Sequence, residues 1–185
     1  ENLVVNPAGT VLYAASRGTS EVFQFAIDQA SGQLSALSTP KVATSTDPTM
    51  IVISPNGQNA YVFGNTSGKV DQFTAGAGGL LTAMTPANLA FSTVAGGMVS
   101  PDGRNLYGTS WSGNLLGQWS IGGTGALTAL APVSVATSTT PVSPYVAPDG
   151  ANVYVPNYST SLVSQYTRNA VTGLLTAMTP ATVTV

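Results

Sequence analysis

The sequence predicts an all-β chain of four repeated, four-stranded antiparallel units, and three observations predict it. First, four Pro-x-Gly turns, at Pro7-Ala8-Gly9, Pro55-Asn56-Gly57, Pro101-Asp102-Gly103 and Pro148-Asp149-Gly150, recur with their prolines 48, 46 and 47 residues apart. Second, other features keep phase with them. A tyrosine follows by six positions (Tyr13, Tyr61, Tyr107, Tyr154), then come Gln24-Phe25, Gln72-Phe73, Gln118-Trp119 and Gln165-Tyr166, a Leu-x-Ala-(Leu/Met) run, and a closing proline at Pro40, Pro86, Pro132 and Pro180. Third, no window carries a helical period. Self-similarity at this spacing marks a repeat architecture, and four short strands per repeat of about 45 residues is the pattern of a β-propeller blade. Blades are expected at 1–46, 47–93, 94–140 and 141–185.

Within the repeat from Ser100 to Pro132, Val-Ser-Pro-Asp-Gly reads as a strand ending in a type I turn, because proline presets φ and glycine accepts the left-handed position. Asn105–Thr109 is the second strand and Leu115–Ile121 the third. Gly122-Gly123-Thr124-Gly125 turns into a fourth strand, from Ala126 to about Thr137, broken or bulged at Pro132 because proline donates nothing to a ladder. Glu1–Val5 is a minimal innermost strand. The repeated tyrosines are expected to fill the wedge between neighbouring blades, and the repeated glutamines to satisfy backbone groups between strands. Residues present in four equivalent copies read as scaffold, so function is expected where the repeats disagree. Two exact matches, Gly79–Pro86 with Gly173–Pro180 and Val42–Thr46 with Val135–Thr139, hint at a two-blade ancestral unit.

Composition limits the chemistry. Charged residues are 6% of the 185, with a net charge of −2, against about 25% in an ordinary domain. The surface must therefore be Ser, Thr, Asn, Gln and Gly. No basic stripe exists for nucleic acid or anionic lipid. No apolar run approaches a membrane span of about 20 residues. Cysteine is absent, so neither a disulfide framework nor a thiolate metal site is expected. The chain opens on Glu1, which reads as a mature, trimmed or excised segment. Low charge and abundant Ser and Thr suit an extracellular or cell-envelope address.

The pattern carried by Ser100-Pro101-Asp102-Gly103-Arg104-Asn105-Leu106-Tyr107 and Gly125-Ala126-Leu127-Thr128-Ala129-Leu130 resembles the bacterial lactonase-like and YVTN-type seven-bladed propellers. All four repeats share it. The resemblance implies the blade type; the family includes phosphogluconolactonase-like and cycloisomerase-like enzymes as well as secreted propellers without known chemistry. It also implies lactone-handling sites of His, Arg and Glu. This chain has no His, its arginines are Arg17, Arg104 and Arg168, and its glutamates are Glu1 and Glu21. No catalytic residue is carried over, and the chain is expected not to be an enzyme.

Ligands of propellers sit at the channel mouth, on loops before the innermost strand and between the second and third. Those loops are expected at 45–49, 92–97 and 138–142, and at 16–20, 64–69, 109–114 and 157–161. Ten residues after each turn proline the copies diverge into Arg17, Asn65, Trp111 and Tyr158. With Asp47 near the same mouth, these five are the candidate ligand-binding residues, suited to stacking a sugar and bonding its hydroxyls. Asp28, Asp102 and Asp149 read as turn caps, and Asp71 lies in a strand beside Lys69. Acid–base catalysis needs two titratable groups placed together, and none are seen. No metal site and no cofactor are expected. Asn65-Thr66-Ser67 and Asn157-Tyr158-Ser159 match the N-glycosylation pattern and fall in predicted loops.

Three functions compete on these observations. The leading expectation is a non-catalytic scaffold or binding module that self-associates through its terminal blades, two chains closing an eight-bladed ring around a carbohydrate or other small polar ligand. The alternatives are a fragment of a lactonase-like enzyme whose catalytic residues lie on other blades, and an exported surface assembly subunit.

Overall fold

A computed structural model describes residues 2–185; the expected role of Glu1 in the first strand lies outside the described residues. Four sheets follow one another along the chain, each of four antiparallel strands in sequence order. The first blade comprises β1 (Asn2–Val5), β2 (Val11–Ser16), β3 (Glu21–Ile27) and β4 (Leu34–Ala43). The second comprises β5 (Pro48–Ile53), β6 (Asn59–Gly64), β7 (Lys69–Ala75) and β8 (Leu81–Ala90), with a 3-10 turn at Ala77–Gly79 before β8. The third is β9 (Val94–Val99), β10 (Asn105–Ser110), β11 (Leu115–Ile121) and β12 (Leu127–Ala136). The fourth is β13 (Tyr145–Val146), β14 (Asn152–Asn157), β15 (Leu162–Arg168) and β16 (Leu175–Thr184). The expected all-β propeller architecture with four blades is therefore present. No helix among the described residues is long and apolar enough to cross a membrane.

The blades associate in two compact units, Glu1–Ala90 and Phe91–Val185. In the first, Val11, Tyr13, Ala15 and Val22 of one blade are buried against Ile51, Ala60, Val62, Phe73 and Leu81 of the next. In the second, Tyr107 and Leu116 pack with Val146, Val153, Val155, Tyr166 and Leu175. Removing such apolar area from water is what joins the blades, at about 25 cal/mol per Å².

Polar side chains then fix the register between blades. The Tyr13 hydroxyl donates to the Gly79 carbonyl and the Tyr107 hydroxyl to the Gly173 carbonyl, each at 2.6 Å. Both glycines have positive φ, and a Cβ at Gly79 would stand 2.8 Å from the Tyr13 hydroxyl, one at Gly173 only 1.9 Å from Asn105 Nδ2. The exact sequence match that begins at these two glycines thus marks one structural role used twice. The glutamines do more than expected. Gln24 Nε2 donates to Thr39 O, and those of Gln72, Gln118 and Gln165 to Pro86, Pro132 and Pro180 O, at 2.7–2.8 Å. In each blade the ladder between third and fourth strands shifts register at this point. The fourth strand is therefore bulged at its proline but not broken, because the glutamine amide bonds a carbonyl that the displaced ladder leaves over. Gln24 and Gln118 also use Oε1 to accept the N–H of Leu81 and Leu175 in the adjacent blade.

Several expected loop bounds shrink: Ser16, Pro48, Thr49, Gly64, Lys69, Thr109 and Ser110 lie in strands, and two differences are larger. Val94–Gly97 belongs to β9 rather than to a loop, and Asn157 closes β14 instead of opening a turn.

Gln118→Leu strands a buried N–H and a carbonyl, whereas Gln165→Leu loses a single bond at a half-buried site. Urea unfolding is expected to show costs of about 2–4 kcal/mol and about 1 kcal/mol respectively, read at unchanged slope; equal costs would contradict the inter-blade role.

Candidate functional site

The four divergent positions each open the four-residue turn between a blade's second and third strands. Main-chain bonds tie three of these turns to the segment leading into the innermost strand: Asn65 N donates to Asp47 O (2.9 Å), Trp111 N to Thr93 O (3.1 Å) and Tyr158 N to Thr140 O (2.9 Å). Asp47 and Thr140 hold left-handed φ values of 63° and 60°, which aim their carbonyls at those donors. Backbone geometry thus presents whatever side chain the sequence places there.

In the first unit the structure brings Arg17 and Asp47 together. The guanidinium grips both carboxylate oxygens, Nε on Oδ1 and Nη2 on Oδ2 (3.1 Å). The Arg17 hydrogen bond holds the Asp47 carboxyl below its ordinary range, against a smaller opposing effect of desolvation. Asp47 is therefore a standing carboxylate with low proton affinity, suited to accepting hydroxyls and poorly suited to removing protons at neutral pH. Its loop is anchored by Asp71, a buried residue of β7 whose oxygens accept the Ser45 N–H (2.8 Å) and hydroxyl (2.7 Å). In the sequence Asp71 is a strand residue beside Lys69; its partner Ser45 lies 26 positions away and no local pattern announces it.

In the second unit Trp111 and Tyr158 meet, ring centroids 5.8 Å apart and planes tilted by 33°. Around them the Thr93 and Ser112 hydroxyls bond one another, as do those of Thr140 and Ser159, and Thr140 N donates to Asn114 Oδ1 (2.9 Å). The glycosylation pattern at Asn157 is corrected here. That residue is buried, and its amide nitrogen donates to Val155 O, Leu162 O and Ser164 Oγ, each at 3.0 Å, so the folded chain does not present it on a loop.

Asp28, Asp102 and Asp149 cap turns as expected, accepting N–H groups of Ala30 and Ser31, of Arg104, and of Ala151. Asp102 has a second role the sequence did not reveal. Its Oδ2 pairs with buried Arg168 (2.7 Å), which also donates to Asn105 Oδ1 (2.6 Å), Tyr107 Oη (3.1 Å) and Gly150 O (3.1 Å). Burial pushes the Tyr107 phenol up to about 12. For Asp102, desolvation pulls upward, but Ser100, Arg168 and the Arg104 N–H outweigh it and hold the carboxyl low. Arg168 is thus a clamp between two blades, with its hydrogen bonds directed into the protein. No group of three or more acidic or otherwise metal-ligating side chains occurs among the described residues. A shallow depression of about 220 Å³ lined by Asn2, Leu3, Ala14 and Ala15 holds no titratable group.

A protein-family model described as "Lactonase, 7-bladed beta-propeller" matches residues 2–184. Among solved structures, a putative 6-phosphogluconolactonase of Bacteroides fragilis aligns with a TM-score of 0.89 at 20% identity, over 100% of this chain and 55% of that one. One from Bacteroides uniformis aligns with a TM-score of 0.84 at 25% identity, over 99% and 54%. The periplasmic gluconolactonase of Pseudomonas aeruginosa gives 0.82 at 23% identity, over 94% and 51%. The chain spans about half the length of these relatives. No curated protein sequence matches it. The expectation of a non-enzyme is corrected by these findings, because the family and its solved neighbours carry lactonase names. That expectation rested on the lack of His and of clustered carboxylates in 185 residues; the blade pattern that shows the family is separate from the inventory of acid–base groups.

Burial is the first cause raising the Asp71 carboxyl, against the pull of Ser45, Lys69 and Asn88. A raised folded pKa means that its contribution to stability is complete below the unfolded value of about 3.9 and is lost as pH rises through the folded value. Asp71→Asn lacks that loss. Its unfolding midpoint relative to the parent is expected to climb as pH rises above about 4; a constant difference would contradict this.

Proposed function

The chain belongs to the lactonase seven-bladed β-propeller family, and on that premise we propose that it supplies four blades of an enzyme that hydrolyses a sugar lactone. The family match over residues 2–184 carries this reading, and the 25% identity to the Bacteroides uniformis putative 6-phosphogluconolactonase supports it. In the reaction, water adds to the lactone carbonyl, the ring C–O bond breaks, the ring oxygen takes a proton, and the resulting acid releases one at neutral pH. The step needs a base for the water and donors for the developing oxyanion. Arg17 and Asp47, with Asn65 on the neighbouring blade, offer hydrogen-bonding groups for the substrate's hydroxyls. The proton-transfer groups belong, on this proposal, to blades in the part of the relatives' length that this chain does not span.

Acid release from δ-gluconolactone and 6-phosphogluconolactone by the longest natural chain containing this sequence tests the reading. Turnover above the spontaneous rate is expected, with Arg17→Ala raising KM and leaving kcat nearly unchanged, the mark of lost substrate binding. Failure of both lactones to be hydrolysed faster than in buffer overturns it. Association of two copies through their terminal blades is the competing proposal, favoured by Leu3 and Val5, which stand 59% and 41% exposed on β1. Light scattering that gives only the single-chain mass of 18.7 kDa at micromolar protein removes it.

A further inference from the structure

We propose that Trp111 and Tyr158 form a stacking platform for the ring of a neutral saccharide, a site independent of the lactonase reading. Trp111 is 41% and Tyr158 77% exposed, although aromatic side chains hold the largest apolar area a residue can bury. A ring sandwiched between two others needs centroids about 7 Å apart, twice the contact distance. At 5.8 Å the pair admits nothing between its rings. What it offers is an outer face, backed by a second ring. Such a face is electron-rich and meets the polarised C–H groups on one side of a pyranose, while the tyrosine hydroxyl and the nearby serines and threonines stay wet.

The platform is held before any ligand arrives. Trp111 and Tyr158 are each bonded through their own N–H to a neighbouring segment, and Thr140 N to Asn114 Oδ1 links the Tyr158 segment to the Trp111 turn. Ordering costs on binding are correspondingly small. The paired hydroxyls of Thr93 with Ser112 and Thr140 with Ser159 keep acceptor capacity, since each hydroxyl has two lone pairs.

Charge selects the ligand class. The charged residues in 91–185 are Asp102, Arg104, Asp149 and Arg168. Asp102, Arg104 and Asp149 lie in turns joining first to second strands, and Arg168 closes β15 beside the start of β14. All four are at the opposite end of the strands from Trp111 and Tyr158. A phosphorylated sugar or a nucleic-acid backbone finds no counter-charge on this face among residues 91–185. One further observation lies beside the platform, at the end of β14. Asn157, directly before Tyr158, is 4% exposed, and its Oδ1 accepts no hydrogen bond from any described residue. A buried acceptor of this kind calls for a donor, directly or through a bridging water.

Intrinsic fluorescence tests the proposal, because the chain's other tryptophan, Trp119, is buried edge-on against Phe91. Cellohexaose and maltohexaose are the neutral probes and choline the cationic one. The expected result is a saturable change in Trp111 emission with at least one hexasaccharide and none with choline. Tyr158→Ala should weaken that affinity about tenfold and Tyr158→Phe by about twofold or less, with unaltered Trp119 emission in Trp111→Phe showing that the fold persists. No saturable change with either hexasaccharide, undiminished binding by Tyr158→Ala, or a response to choline alone would each overturn it. The lactone assay above reads a different activity, so either proposal can fail without the other.

Discussion

Gln24 and Gln118 each solve two problems with one side chain. The proline in a blade's fourth strand spoils the ladder and leaves a carbonyl over; the glutamine amide takes it up. The outer strand of the neighbouring blade begins with an N–H that has nothing in its own sheet to bond; the glutamine oxygen accepts it. Both glutamines are fully buried, where an unmet donor or acceptor costs the full desolvation of that group. Burial of apolar flanks drives blades together without regard to direction. These bonds, with the Tyr13 and Tyr107 hydroxyls on Gly79 and Gly173, decide how the flanks meet.

The same bonds recur two blades apart, which gives structural weight to the duplicated segments. Ser45 N on Asp71 in the first unit corresponds to Ser138 N on Ser164 in the second, and Asn65 N on Asp47 O to Tyr158 N on Thr140 O. Against this common frame the differences stand out. A carboxylate at Asp71 is replaced by a hydroxyl at Ser164, and the Arg17–Asp47 ion pair has no counterpart where Trp111 meets Tyr158. One scaffold thus presents a charged rim in one unit and a neutral aromatic one in the other.

Much of this was legible in the sequence because it is local or repeated. Leu115–Ile121 is a strand over its expected residues, since turns at both ends and the in-phase glutamine fix its limits. Tyr13, Tyr61 and Tyr107, all fully buried, and the four glutamines could be assigned to scaffold from their repetition alone, whereas Tyr154 is only half-buried. Arg168 and Asp71 could not, because each occurs once and finds its partner through the fold; Arg168 meets Asp102 across 66 positions. The enzyme question failed for another reason. Family membership is written in the blade pattern, which the chain's charged-residue composition does not report.

Amide hydrogen exchange at Leu81 and Leu175 tests the central claim most directly. If the glutamine oxygens of the adjacent blades hold these two N–H groups, they exchange among the slowest amides of the protein, with opening free energies near that of global unfolding. Exchange as fast as that of the exposed outer-strand amides would show that the blades meet without these bonds, and the account of how they are held together would be wrong.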